Sequence, residues 1–378
     1  MRPFKVFHIV SKLSASGGIG NQLLSLLRKY DREVFTPVVC SLREKGPLAK
    51  EIESLGIEVI SLGLNFKKGF YPGAVRSIHA LLKERNVHIL RSHGYRAAIH
   101  GVPAGLFAKI PCIVTSFHNI YMPRDRKLNR RLTNKFLSTF TDAIVVVSEA
   151  VKKDIIKYDK IAEKKITIIH NGVKADRFIN ADGHHIREEL EIQASVPVLG
   201  TVGRLFQQKG QRYLIEALSI LKKDLPEIKL IIVGDGPSRN ELEKLSERLS
   251  LDKNIIFTGM RRDIPELISA MDVFVFPSLW EGFGNALIEA MSSGKPIVAS
   301  DIPPVREIIS SDDQAVIVPP KDPSAIADGV KLILNNKEKA EKLRQSAVKR
   351  VSSAFTIDIT YEKYKELYLK ILGEKGHI

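Results

Sequence analysis

Short runs of β-branched and other apolar residues, each followed by a stretch with helical periodicity, recur in two sets along this chain. Few architectures accommodate that arrangement. The first set reads as strands over Val6–Val10, Pro37–Cys40, Glu58–Leu62, His88–Leu90, Cys112–Ser116, Ala143–Ser148 and Ile166–His170. The second reads as Val198–Val202, Lys229–Gly234, Ile255–Gly259, Val273–Pro277, Pro296–Ser300 and Ala315–Pro319. A strand that is apolar along its length is covered on both faces, and strands alternating with helices build parallel βαβ units. The fold class is therefore α/β, with two Rossmann-like domains, and 378 residues suffice for two. The polar stretch Ala181-Asp182-Gly183-His184-His185 reads as the linker, which sets the domains at residues 1–182 and 183–355. In the closing segment, residues 356–378, Tyr361, Tyr364, Leu367, Tyr368 and Ile371 recur on one face of an amphipathic helix. Two facing open sheets of this kind place their strand carboxyl ends, and so their ligands, along a shared cleft.

Charge divides the chain unequally. Residues 1–180 hold 31 Lys and Arg against 14 Asp and Glu, a net of +17, whereas the remainder has a net of −2. A field of that sign attracts phosphate, whether in nucleic acid, anionic lipid or a lipid-linked diphosphate. No run of about 18 apolar residues occurs, so no membrane span is expected. Met1–Val10 is too short and too polar for a signal peptide and reads as a first strand. Cys40 and Cys112, each beside an apolar run, read as buried free thiols of a reducing compartment.

The most informative segment runs Ser278-Leu-Trp-Glu281-Gly-Phe-Gly-Asn285-Ala286-Leu287-Ile288-Glu289 and on through Gly294 to Pro296. A strand ends at Pro277, a glycine-bearing loop follows, and a helix begins near Asn285. Free N–H groups of Ala286, Leu287 and Ile288 at that start suit a phosphate. Glu281 and Glu289 then flank the phosphate, one for each sugar attached to it. Read blandly, Glu281 is a solvated loop residue and Glu289 lies on the polar face of a helix. Val202-Gly203-Arg204-Leu205 with Lys209-Gly210 follows another strand, and cations there would stabilise charge on a departing diphosphate. In the first half, Ser14-Ala-Ser-Gly17-Gly18-Ile-Gly20 follows strand one and opens a helix, where Gly18 brings backbone close to a ligand. His118 ends a strand in Thr115-Ser-Phe-His118-Asn119.

The Glu281 to Glu289 span resembles the E-x7-E signature of the GT-B-fold retaining glycosyltransferases of family 4, group 1. The resemblance extends through Val233-Gly234-Asp235-Gly236-Pro237, Ile256-Phe257-Thr258-Gly259 and Asn171-Gly172-Val173, and so over nearly the whole chain. It implies a GT-B fold whose last helix crosses back to the first domain, and a hexosyltransferase. It further implies that Arg204 and Lys209 clamp the donor diphosphate and that Glu281 holds hydroxyls of the transferred sugar. Glu289 would accept from the ribose, backbone at Gly203 and around Gly259 would border the nucleotide, and His118 would hydrogen-bond a sugar hydroxyl. The sequence departs from the family at Gly20, where Glu is frequent, and at Asn119, where Asp is frequent. No Asp-x-Asp pair ends a strand, and Asp312-Asp313 lies in a polar turn. No cofactor and no metal are therefore expected.

A basic, aromatic-edged stretch carries Arg124, Arg126, Lys127, Arg130 and Arg131 beside Leu128, Leu132 and Phe136 at a four-residue spacing, and Asn65-Phe66-Lys67-Lys68 adds a second. It reads either as a helix packing its stripe inward or as a face docking on an anionic membrane next to a glycan or glycolipid acceptor. The second reading places a cytoplasmic enzyme peripherally on the inner face of the membrane. The expected donor is a UDP-sugar first and GDP-mannose second; the acceptor is a lipid-linked or surface-polysaccharide hydroxyl. An epimerase of the same fold is an alternative. A nucleic-acid binder is disfavoured because no RRM, KH or helix-turn-helix pattern accompanies the charge.

Overall fold

The computed structural model describes residues 3–14, 18–64, 69–120 and 127–378. They form two compact units, residues 1–172 with 357–378, and residues 173–356. The first holds strands β1 (Phe4–Val10), β2 (Phe35–Ser41), β3 (Glu58–Ser61), β4 (Ile89–His93), β5 (Cys112–Phe117), β6 (Ala143–Val146) and β7 (Ile166–Ile168). They lie in the order β3-β2-β1-β4-β5-β6-β7, all parallel. The second unit holds β8 (Val198–Val202), β9 (Lys229–Val233), β10 (Ile255–Gly259), β11 (Val273–Phe276), β12 (Ile297–Ser300) and β13 (Val316–Val318), in the order β10-β9-β8-β11-β12-β13. Each sheet reverses its direction of growth once, between β1 and β4 and between β8 and β11. The connections diverge there, and a crevice opens at the carboxyl ends of those strands.

The closing helix, Ile357–Glu374, belongs to the first unit. It buries Tyr361, Tyr364, Tyr368, Ile371 and Leu372 in the same cluster as Phe4, Val6, Leu27, Phe35 and Cys112. Each fully buried side chain of that size contributes roughly 1.5–3 kcal/mol, so the segment is an integral part of that core. Cys40 and Cys112 are free and buried, and burial pushes the Cys40 thiol up to about 12.

The first unit ends at Gly172, ten residues before the expected boundary. The polar stretch read as a linker packs inside the second unit: Ser269 donates to the Ala181 carbonyl at 2.8 Å and Arg187 to the Ala270 carbonyl at 2.9 Å. Gly183 is glycine because a Cβ there would stand 2.2 Å from the Ala270 amide nitrogen. The two connecting passages adjoin instead at Val173, whose N–H donates to the Phe355 carbonyl at 2.8 Å.

Candidate active site

In the second unit, the loops leaving β8 and β11 are clasped together at the switch point. The Leu279 N–H donates to the Gln208 carbonyl and the Gln208 amide to the Trp280 carbonyl, each at 2.8 Å. Gly210 turns with φ +64°, and a Cβ there would stand 2.0 Å from the Pro277 carbonyl oxygen, so only glycine lets the loops approach this closely. The clasp brings together residues 72 apart in sequence: Lys209 Nζ donates to Glu281 Oε1 at 2.5 Å. Ser278 donates to the same oxygen at 2.8 Å, and the Gln208 amide reaches Glu281 Oε2 at 3.4 Å. Glu281 is only 6% exposed, which rules out the solvated-loop reading. Gln208 and Ser278 were not singled out in the sequence, although both lie inside the segments that were.

Arg204 is exposed, its guanidinium 4.3 Å from the Phe206 ring centroid and outside the Lys209–Glu281 pair. Gly203 packs against the aliphatic stem of Lys209. Gly259 accepts from the Gly234 amide at 2.9 Å, and Arg261 beyond it is held by Glu189 and Asp263.

The helix after Glu281 runs Asn285–Ser292. Its cap is Gly284, at φ +142°, with no side-chain cap, so Asn285 is the first helical residue and not a polar cap. Leu287 and Ile288 donate to the Gly284 carbonyl at 3.0 and 3.2 Å, which corrects the expectation that both are free for phosphate. Of the three expected donors, Ala286 alone has no backbone acceptor among the described residues. Partly buried Glu289 lies one turn in. Burial raises its carboxyl to about 7, against the opposing pull of Arg177 and Lys209. Such a group keeps its proton in the folded state after the unfolded chain has released it, so stability should fall as pH rises from about 4.5 to 7 and level off above. Urea unfolding across that range is expected to show this slope in the ligand-free protein, and Glu289→Gln to lessen it.

In the first unit, His118 follows β5 and lines a cavity with Ile19, Gln22, Arg91, His93 and Tyr364. Gly18 opens the helix Gly18–Leu27, whereas Gly17 lies outside the described residues. A Cβ at Gly20 would meet Leu48 Cδ1 at 2.7 Å and the Ser14 carbonyl at 3.0 Å. The departure from the family's Glu thus coincides with close packing of that helix.

The basic stretch forms the helix Leu128–Thr139, with Arg124, Arg126 and the Asn65–Lys68 segment outside the described residues. Its stripe faces solvent: Leu128, Leu132, Phe136 and the following Phe140 are 66, 56, 62 and 42% exposed, and the side packed inward holds Asn134, Leu137 and Ser138. The inward-packing reading of the stripe is therefore wrong. Lys127, Arg131 and Lys135 are exposed, but Arg130 is half-buried, stacked 4.7 Å from the Tyr95 ring centroid. Among the described residues no helix is long and apolar enough to cross a membrane, and no cluster of three or more His, Cys, Asp or Glu suits a metal ion.

Two parallel Rossmann-like sheets, the second with the partly buried Lys209–Glu281 pair at its switch point, form an α/β architecture of the kind that binds nucleotides at strand carboxyl ends. The description "Glycosyl transferases group 1" matches residues 183–350 and "Glycosyltransferase Family 4" residues 16–177. This chain belongs to that family of GT-B-fold glycosyltransferases. It is 28% identical over 308 residues, 79% of each chain, to an Escherichia coli UDP-Gal:alpha-D-GlcNAc-diphosphoundecaprenol alpha-1,3-galactosyltransferase. It is 24% identical, over 99% of each chain, to the Staphylococcus aureus capsular polysaccharide biosynthesis glycosyltransferase CapM. Anabaena Alr3699/HepE, solved in complex with UDP and glucose, superposes with a TM-score of 0.86 at 22% identity, covering 96% of this chain and 99% of that one.

Proposed function

We propose that this glycosyltransferase moves a sugar from a UDP-sugar, with GDP-mannose as the second choice, to a hydroxyl of a lipid-linked or surface-polysaccharide acceptor, with retention of anomeric configuration. The observation that carries the reading is the buried Glu281 held by Lys209 and Ser278 at the β8–β11 switch point. Lys209 can turn its charge toward a diphosphate while Glu281 receives sugar hydroxyls, because each is hydrogen-bonded to the other and both are fixed by the clasped loops. Arg204, exposed and free of any ion pair among the described residues, supplies a second cation. The Asn285–Ser292 helix start, with the Ala286 N–H, suits a phosphate oxygen, and Glu289 the ribose. The names of the relatives do not favour an epimerase.

In the reaction, the bond from the anomeric carbon to the diphosphate oxygen breaks, and a bond to the acceptor oxygen forms on the same face. The acceptor proton passes to the departing phosphate oxygen. Lys209 and Arg204 stabilise the charge that develops there. Cations and a helix terminus take the place of a metal, so excess EDTA should change turnover by less than about twofold. Loss of activity restored by Mn²⁺ or Mg²⁺ would refute metal independence. Nucleotide release from a panel of UDP- and GDP-sugars, with and without acceptor, tests the donor assignment. Release from GDP-mannose alone would overturn the first choice.

The exposed stripe favours docking on an anionic bilayer, where Leu128, Leu132, Phe136 and Phe140 enter the interface and Lys127, Arg131 and Lys135 meet lipid phosphates. In this reading the acceptor-side unit docks on the inner face of the membrane, beside a lipid-linked acceptor.

A further inference from the structure

Strand β10 ends the order of the second sheet, so among the described residues only β9 flanks it. The loop that leaves its carboxyl end turns at Gly259, with φ +68°, and carries the adjacent cations Arg261 and Arg262 on to the helix Ile264–Ser269. What holds this loop comes from a segment earlier in the chain. Arg261 Nη1 donates to Glu189 Oε1 at 2.5 Å and Nη2 to Glu189 Oε2 at 2.8 Å, across 72 residues of sequence. Its Nε donates to Asp263 Oδ1 at 2.9 Å, and Nη2 to Asp263 Oδ2 at 2.5 Å. Arg177 adds a further tie, donating to the Arg262 carbonyl at 3.3 Å.

Both carboxylates forgo a local use to make these bonds. Asp263 occupies the N-cap position of the helix Ile264–Ser269, where aspartate ordinarily accepts from first-turn amides, yet its side chain makes no cap bond. Glu189 is the last residue of the helix His184–Glu189, and a carboxylate there opposes the negative end of the helix dipole. Neither placement helps its own helix, whereas each serves the planar fork of Arg261, which can take two carboxylates side by side. Hydrogen bonds from Arg261 hold both carboxyls below their usual range. Four of the five N–H donors of Arg261 are thereby committed, so its side chain is no spare cation for a diphosphate.

We propose that Glu189 and Asp263, acting through Arg261, are positioning residues that fix the loop after β10 for the nucleoside of the donor. Ligands of open α/β sheets lie at strand carboxyl ends, where this loop stands. The bond from the Gly234 N–H to the Gly259 carbonyl keeps the ends of β9 and β10 together there. This rests on the reading that the chain around Gly259 borders the nucleotide, and adds the segment that sets its position. A loop ordered before binding loses less freedom when the nucleoside arrives, so the brace contributes affinity without touching the ligand. Exposed ion pairs contribute little to global stability, and the effect therefore falls on binding and not on folding. Lys209 and Arg204 stand in the loop after β8, so the diphosphate contacts lie outside the brace.

Calorimetric titration of the full chain with UDP and with GDP tests this, with inorganic pyrophosphate read by its competition against the bound nucleotide. Glu189→Gln and Arg261→Gln should each weaken binding of the nucleotide that the parent chain takes by about tenfold. Pyrophosphate affinity, which depends on the loop after β8, should stay at the parent value, and so should the melting temperature. Equal nucleotide affinity in the parent and both variants overturns the brace, and a lower melting temperature with that result marks an ordinary surface ion pair. An equal loss for nucleotide and pyrophosphate overturns it as well, because the disturbance is then general to the unit. A parent chain that binds neither UDP nor GDP overturns instead the underlying donor reading.

Discussion

Lys209→Ala is expected to lower sugar transfer by roughly 10²–10³-fold, the usual loss when one group stabilising developing charge is removed. The structure adds a second effect. Lys209 is the cation against a carboxylate that is 6% exposed, and removing it leaves Glu281 buried with only Ser278 and Gln208. Breaking a buried pair from one side costs about 3–5 kcal/mol. Lys209 keeps 23% of its side chain exposed, so the lower end of that range applies. The variant should therefore melt earlier as well as turn over slowly. Arg204→Ala separates the two effects, since its side chain is exposed, stacks on Phe206 and makes no ion pair among the described residues. Its transfer should fall by about 10²-fold with melting near the parent value. Steady-state nucleotide release and thermal melting of both variants check this, and full transfer in Lys209→Ala would remove the residue from the site.

The second large effect concerns the membrane. Leu132, Phe136 and Phe140 are each more than two-fifths exposed. Burying such a side chain is worth about 1.5–3 kcal/mol, and each Lys or Arg at an anionic surface adds about 1 kcal/mol. Changing these three apolar residues to Ser should therefore weaken vesicle binding by at least about 10²-fold. Changing Lys127, Arg131 and Lys135 should give a smaller loss that disappears in high salt, where the Debye length shrinks to about 3 Å. Sedimentation with phosphatidylserine-containing and neutral vesicles distinguishes the two contributions. Donor hydrolysis in solution should survive both changes, because the proposed donor site lies in the other unit. Undiminished binding of the triple Ser variant would end the docking role.

Much of this fold could be read from local pattern. All thirteen expected strands form, most within two residues of the expected ends, because strands covered on both faces leave continuous apolar runs between glycine and proline stops. The site was legible only in pieces. Glycine spacing marked the loops after β8 and β11, but the Lys209–Glu281 bond depends on β8 and β11 being neighbours, which spacing does not reveal. The contacts of His8 with Tyr30 and with His93, and of His93 with His118, were hidden for the same reason: β1 and β4 adjoin, although His8 and His93 are 85 residues apart. Periodicity placed Leu128, Leu132 and Phe136 on one face without fixing which way that face points. Gly183 misled because a glycine required by close approach to Ala270 resembles one that loosens a linker.

The central claim is retaining transfer from a uridine diphosphate sugar, and proton NMR of the first product formed tests it most directly. With an α-configured UDP-sugar and a hydroxyl acceptor, the earliest anomeric signal should be that of the α-linked product, appearing in step with released UDP and abolished with Lys209→Ala. A β-linked first product, or product formed without nucleotide release, would contradict the account.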